Sequence, residues 1–193
     1  MTNDSGPRIP PLRLEDCDDQ QKEVLRPWTL PDGRIYNLFL TTARHPDLLR
    51  RWYPYGMHVM VKSTLPKRDR ELVIMRVSVH NQSDYEWAHH AKISHQVGIS
   101  DEELLRIIEG PSAENWTDFE RLLLQAVDEM KTQSTITDAT YNGLAAEYDV
   151  KQIMDLVHTF GAYNLVSMSL NIFGVELEDE VEGLTAFKER LGS

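Results

Sequence analysis

Glu71-Leu72-Val73-Ile74-Met75-Arg76-Val77-Ser78-Val79 is the stretch whose reading decides the fold. Its β-branched content would suit a buried strand. It reads as helix instead, because a helical run enters it without interruption from Thr64-Leu65-Pro66. Proline is tolerated in a first turn, and no hairpin signal follows Val79. His80-Asn81-Gln82-Ser83-Asp84 then breaks the chain, and Tyr85 to Val97 predicts a second helix. Gly98 stands where a left-handed C-terminal residue would close it.

Toward the C-terminus, Ser100-x-x-Glu103 and Thr117-x-x-Glu120 are capping boxes that predict helices over about 101–109 and 117–131. Thr137 opens another, and 150–172 is nearly all apolar on one side and stops at Gly174. Glu176, Glu178, Asp179, Glu180 and Glu182 then read as an acidic, exposed tail. Toward the N-terminus, Pro46 starts a helix to about Val61, with Pro54 expected to kink or split it. Ile35 to Ala43 and about 18–26 predict short helices, with a turn at Pro31-Asp32-Gly33 between them. Residues 1–13, with Gly6, Pro7, Pro10 and Pro11, read as an extended arm. The fold class is all-α.

The 193 residues suit one domain with a sizeable core. A net charge of -11 with no long basic stripe argues against a nucleic-acid partner. No segment reaches membrane-spanning length and no basic n-region precedes an apolar run, so no membrane role and a cytoplasmic location are expected. Cys17 is the only cysteine, which excludes an intramolecular disulfide and a thiolate metal cluster. Asp16, Asp18 and Asp19 around it should raise its thiol pKa, so a reactive thiolate is not expected there.

Chemistry concentrates in Glu71-x11-Ser83-x2-Glu86-Trp87-Ala88-His89-His90. Glu86 and His90 are four apart and share one helix face. A carboxylate beside an imidazole fixes its tautomer and raises its pKa, which suits general acid–base work near neutrality. If the helices on either side of the break fold back on each other, Glu71 reaches the same point.

That spacing resembles the pattern Glu-x11-Cys-x2-Cys-x3-His of the alkylhydroperoxidase D-like (AhpD-like) proteins, the carboxymuconolactone decarboxylase superfamily. Leu65-Pro66, Arg70-Glu71-Leu72-Val73, Gly98-Ile99-Ser100, Phe160-Gly161-Ala162-Tyr163-Asn164 and Gly174-Val175-Glu176 agree with it. The resemblance covers roughly 35–176. It divides the chain into an arm and short helix at 1–34, the helical domain, and an acidic tail at 177–193.

Ser83 and Glu86 stand where the peroxidase members carry their cysteines. A hydroxyl and a carboxylate cannot cycle through sulfenic acid and disulfide, which excludes dithiol peroxidase chemistry. The resemblance then implies the decarboxylase-like branch: an AhpD-like helical bundle, a homo-oligomer (trimer, hexamer or dimer), a small-molecule substrate, and no cofactor or metal. It implies a lyase acting on a carboxylated lactone or another intermediate of aromatic-compound catabolism. His90 would be the general acid, oriented by Glu86, with Glu71 tuning or relaying the proton. Ser83, Tyr85, His89 and Arg76 are candidates for substrate binding, Arg76 as the cation for a carboxylate. The same residues would serve an isomerase, a lactone hydrolase or a retro-aldol lyase, and a non-catalytic oligomeric binding protein is the alternative from another class.

Each of these residues also has a plainer structural role open to it. Ser83-x-x-Glu86 is also a capping box, His90 could be a satisfied core histidine, and Glu71 could face solvent from a first turn. Glu86-x-x-His89 and Asp155-x-x-His158 have the spacing of helical di-metal carboxylate sites, which keeps a metal-dependent enzyme as a further alternative. Trp87, Trp52, Tyr53 and Tyr55 read as core or subunit contacts, and Met57, Met60, Met75, Met154 and Met168 as gap-filling core residues. His45 and His80 read as loop and surface residues.

Overall fold

The computed structural model describes residues 6–191. Ten α-helices carry them: α1 (Asp19–Leu25), α2 (Asn37–Thr42), α3 (Pro46–Met57), α4 (Lys67–Asn81), α5 (Asp84–Gln96), α6 (Asp101–Glu109), α7 (Asp118–Gln133), α8 (Asp138–Ala145), α9 (Val150–Phe173) and α10 (Leu184–Leu191). No strand occurs among the described residues. The first five residues of the expected arm, and the last two of the tail, lie outside them.

The all-α expectation holds, and α4 shows why. Every residue from Arg70 to Ser78 is buried, so the helix is enclosed on all sides. It runs through the middle of the molecule against α5, α6, α7 and α9. A strand would have presented two faces to two layers, whereas these side chains leave the axis in all directions.

The break after α4 is built by Gln82 and Ser83. Gln82 takes the left-handed conformation at φ +49°, with its N–H on the Ser78 and Val79 carbonyls. Ser83 then caps α5, its hydroxyl accepting from the Glu86 N–H at 3.4 Å. The chain reverses here, and α5 packs back along α4. Four other helices, α1, α6, α7 and α9, open with reciprocal boxes in which the third residue's side chain returns to the cap. In α5 the Ser83 N–H goes to the Ser78 carbonyl instead, which leaves the Glu86 side chain free of capping.

Two apolar clusters form. The larger is centred on α4 and includes Trp87, Leu104, Leu123, Leu156 and Tyr163. The smaller joins Cys17, Leu25, Trp28, Phe39, Ala43 and Leu49 near the N-terminus, and Met60 packs against both. Burial raises the Cys17 thiol pKa, Lys22 opposes this, and Asp18, Asp16 and Glu15 add to it.

Four expectations need correction. Pro54 does not split its helix: α3 continues to Met57 and passes into a wider π-helical turn at His58–Lys62. The C-terminal segment is not a free acidic tail. It turns back after Gly174 (φ +68°) and ends in α10, whose Leu184 and Phe187 are buried, Phe187 against Trp87 with ring centroids 5.0 Å apart. Met154 and Met168 are exposed rather than core. They join Val150, Val157, Leu165 and Ile172 in an apolar stripe along the outer face of α9. His80 is not free at the surface, since its Nε2 lies 2.6 Å from Asp128 Oδ1. No helix of the described residues is long and apolar enough to cross a membrane.

If residues 184–191 complete the core, Phe187→Ala destabilises the protein by about 3 kcal/mol in urea unfolding. A change of about 0.5 kcal/mol or less, as on a solvated tail, would refute the placement.

Candidate active site

Glu71 enters from α4 and Glu86 and His90 from α5, so the helix reversal at Gln82-Ser83 brings all three together. His90 Nδ1 lies 2.7 Å from Glu71 Oε2. A carboxylate only accepts, so Nδ1 carries the hydrogen and Nε2 is the nitrogen left for proton exchange. His90 Nε2 lies 3.3 Å from Glu86 Oε1. Glu71 Oε1 in turn accepts from the Arg70 guanidinium at 3.2–3.3 Å, which holds this carboxylate in place. The Tyr163 ring of α9 stands edge-to-face against the imidazole, centroids 4.9 Å apart.

All three members are buried: Glu71 is 0% exposed, Glu86 5% and His90 8%. The two alternatives of a solvent-facing Glu71 and a capping Glu86 are therefore removed. Glu86 Oε2 is buried without a hydrogen-bond partner among the described residues. Burial pushes the Glu86 carboxyl up to about 7, with Glu71 adding to the rise and His90 opposing it. For His90, burial pulls the pKa down, but the Glu71 charge and hydrogen bond, helped by Glu86, outweigh it and the net shift is upward. Burial raises the Tyr163 hydroxyl well above its usual range, Glu86 and Glu71 adding to it. An imidazole that favours its proton thus stands beside a carboxyl poised near neutrality, a pair able to pass one proton in either direction.

Glu86 and His90 line a cavity of about 730 Å3 at the meeting of the two apolar clusters. The N-terminal segment supplies Trp28, Tyr36, Phe39 and Trp52, and α9 supplies Ala162 and Tyr163. Trp28 stacks on Phe39 with centroids 3.8 Å apart, and Trp52 lies 5.8 Å from Trp28. Trp52, expected as a core or subunit contact, packs against the smaller cluster and also forms part of the wall.

The candidate binding residues separate. Tyr85 and His89 line the cavity, but both are held by Glu178. Tyr85 Oη donates to Glu178 Oε1 at 2.8 Å and accepts from the Leu38 N–H at 3.2 Å. His89 Nε2 lies 2.6 Å from Glu178 Oε2, and the Asn37 N–H donates to Oε1 at 2.8 Å. Ser83 is 0% exposed and serves as the α5 cap outside the cavity wall. Arg76 is not brought to the site. Its guanidinium grips Asp128 through two bonds of 2.7 and 2.8 Å and donates to the Ile107 and Ile108 carbonyls. Gly110 makes room for it, since a Cβ there would come within 2.6 Å of Arg76 Nη2.

The two paired motifs considered for metal do not converge. Glu86 faces His90, while His89 faces Glu178. Asp155 binds His58 Nε2 at 2.7 Å and Thr64, and His158 meets the Tyr55 hydroxyl at 3.1 Å. No cluster of three or more His, Cys, Asp or Glu suited to a metal occurs among the described residues.

Glu178, Tyr163 and the Trp28–Phe39 wall escaped the sequence reading. Tyr163 sat within a motif already matched, and its spacing from the others carried no information across different helices. Glu178 looked like one solvated acid among five.

Residues 46–129 match the carboxymuconolactone decarboxylase family model. No curated protein matches the sequence. Among solved structures, an uncharacterised peroxidase-related protein with the AhpD core from Ralstonia eutropha JMP134 superposes with a TM-score of 0.77 at 21% identity, over 90% of this chain and 93% of that one. A peroxidase-related protein from Silicibacter sp. TM1040 gives 0.76 at 17% identity, over 91% and 95%. The debrominase Bmp8, as a cysteine-to-alanine variant in complex with 2,3,4-tribromopyrrole, gives 0.73 at 16% identity, over 95% of both chains. The fold is AhpD-like, and residues 46–129 carry the similarity to the carboxymuconolactone decarboxylase family.

Burial raises the pKa of the Glu178 carboxyl, but hydrogen bonds from His89, Asn37 and Tyr85 outweigh it and lower the pKa from 4.5 to about 2. Because the folded value is depressed, its stabilisation is complete above about 4.5 and is lost as pH falls toward about 2. Side-chain NMR titration should give Glu178 a midpoint near 2, and His89→Ala should move it up toward 4.5. An unshifted wild-type midpoint would mean the latch does not form.

Proposed function

We propose that this protein is an enzyme that moves a proton on a cyclic carbon acid, using protein side chains alone. One observation carries the reading: a buried Glu71–His90–Glu86 relay at the wall of a large cavity, with one Glu86 oxygen unpartnered. Glu71 holds the imidazole in one tautomer and stabilises its cation. His90 Nε2 delivers or collects the proton, and Glu86 exchanges it with the substrate. Tyr163 is close enough to the relay to help stabilise negative charge that develops on the substrate. Lyase and isomerase reactions both need this equipment, and the reaction class is a carbon–hydrogen bond made or broken next to an electron-withdrawing group.

A carboxy-lyase acting on a carboxylated lactone is the second reading, favoured by the family match over 46–129. It asks for a cation beside the substrate carboxylate, and Arg76 is engaged with Asp128. Thiol-dependent chemistry, whether peroxide reduction or dehalogenation, is not part of the proposal. Cys17 is buried and does not line the cavity.

The homo-oligomer belongs to the same proposal. We assign a second copy to the α9 stripe, since from Gln152 to Phe173 its outer face carries no exposed Asp, Glu, Lys or Arg. In a chain of net charge -11, that is a face on which two copies can meet with little repulsion. Leu165→Glu should lower the mass seen by light scattering, and an unchanged mass would remove this assignment.

The decisive experiment incubates cyclic carbon acids, 4-carboxymuconolactone among them, with enzyme in D2O and follows deuterium at carbon by NMR and mass spectrometry. Deuterium incorporation, with or without loss of CO2, should fall at least about 100-fold in His90→Ala and Glu86→Gln. Retention of full exchange in both variants would sink the proposal.

The wild-type rate should also show a limb near pH 7 that Glu86→Gln lacks. Because the folded Glu86 value is raised from 4.5 to about 7, wild-type stability falls as pH rises through that window. Glu86→Gln should therefore be more stable than wild type at pH 8 while losing turnover. A less stable variant at that pH would contradict the buried, uncompensated carboxylate.

A further inference from the structure

We propose that the ligand seated beside His90 is an uncharged, hydroxyl-bearing aromatic molecule of at least two rings, rather than a small carboxylate. This rests on the acid–base reading of the same site and adds the class of molecule it takes.

Size points first in this direction. The cavity holds about 730 Å3. Sites of roughly 300–1,000 Å3 enclose most of the surface of drug-sized ligands. A single-ring acid would leave much of this volume unfilled and much of the aromatic wall wet.

The wall supplies the second argument. Trp28 and Phe39 stack at 3.8 Å and 18°, and Trp52 continues the surface at 5.8 Å from Trp28. Such a surface takes a flat ring by stacking or edge contact. This aromatic patch comes from the N-terminal segment, while the proton relay comes from α4 and α5. A ligand that uses both reaches from the aromatic patch to the relay along one cavity.

Charge supplies the third. The cavity lining includes three carboxylates, Glu86, Glu178 and Glu180, and two cations, Arg34 and Lys92. Both cations are exposed, and Arg34 is already paired with Asp32 at 2.8 Å and Glu180 at 3.2 Å. Among the described residues the buried cations are all engaged: Arg70 by Glu71, Arg76 by Asp128, and the His90 imidazole by Glu71 and Glu86. A substrate carboxylate beside Glu86 would have to share the His90 cation with two carboxylates already on it, Glu71 at 2.7 Å and Glu86 at 3.3 Å. A hydroxyl has the opposite effect. Its O–H can donate to Glu86 Oε2, which is buried and without a partner. Trp28 Nε1–H is also buried and unpartnered among the described residues, and it suits an ether or carbonyl oxygen farther along the ligand.

A matched set of probes tests this by isothermal titration calorimetry on the full chain at pH 7.5. The set is 4-phenylphenol, biphenyl-4-carboxylate, 4-phenylbenzylamine and phenol. We expect 4-phenylphenol to bind at least tenfold more tightly than each of the other three. Glu86→Leu should weaken 4-phenylphenol about tenfold, while Glu86→Gln, which keeps an acceptor oxygen, should bind it within about threefold of wild type. Equal or tighter binding of the carboxylate or the amine overturns the charge argument, and equal binding of phenol overturns the size argument. No measurable binding of 4-phenylphenol, or no effect of Glu86→Leu, overturns the proposal as a whole. Failure of the acid–base reading is distinguishable, because it appears as deuterium exchange that survives in His90→Ala and Glu86→Gln whatever the probes do.

Discussion

The hydrogen bond between Glu71 and His90 is the contact around which the rest is arranged. It crosses from one buried helix to the next at 2.7 Å, in surroundings where an uncompensated charge would be expelled. A carboxylate in that position is tolerable only because Arg70 and His90 both reach it. The need to satisfy Glu71 therefore restricts how α4 and α5 can pack. A shift of one residue in either helix would strand two ionised groups in the core.

Glu86 breaks the same rule. One of its oxygens meets His90 at 3.3 Å and the other meets nothing, although the residue is buried. Packing alone would favour an apolar side chain there, since replacing a buried ionisable group with a hydrophobic one is often neutral or stabilising. Six other buried polar atoms also lack partners among the described residues, but they belong to hydroxyls and indoles, and Glu86 alone among them is an ionisable group. It is the counterpart of Arg76, which is also buried and charged but has every nitrogen of its fork engaged by Asp128 and two carbonyls. The contrast separates a buried charge whose donors are all engaged from a buried carboxyl with one oxygen left open.

The C-terminal segment closes the design. After Gly174 the chain passes over the cavity edge, and the Glu178 carboxylate ties the start of α2 to α5 through Asn37, Tyr85 and His89. Phe187 then anchors the last helix against Trp87. The cavity is thus bounded by pieces from both ends of the described chain, with the proton relay in the middle. The aromatic wall and the Glu71–His90–Glu86 cluster come from different parts of the sequence.

How much of this was legible before folding follows from the range over which each signal acts. Helix positions came from local features: the boxes at Ser100 and Thr117, the stop at Gly174, and the break at Gln82-Ser83. The pairing of Glu86 with His90 came from helical periodicity, and the approach of Glu71 from a single short reversal. These are interactions within about twenty residues, where spacing in sequence constrains distance in space. Arg76, Glu178, Met154 and Met168 depended on partners much farther along the chain or on a face's exposure. Arg76 looked available until Asp128, fifty-two residues on, came to meet it. Glu178 looked solvated until three donors from two distant helices closed on it. The sequence by itself determined the helices up to Gly174 and the membership of the Glu71–Glu86–His90 cluster. Only the tertiary structure decided which charges were already spent, which carboxylate was left without a partner, and what surface a ligand would find beside it.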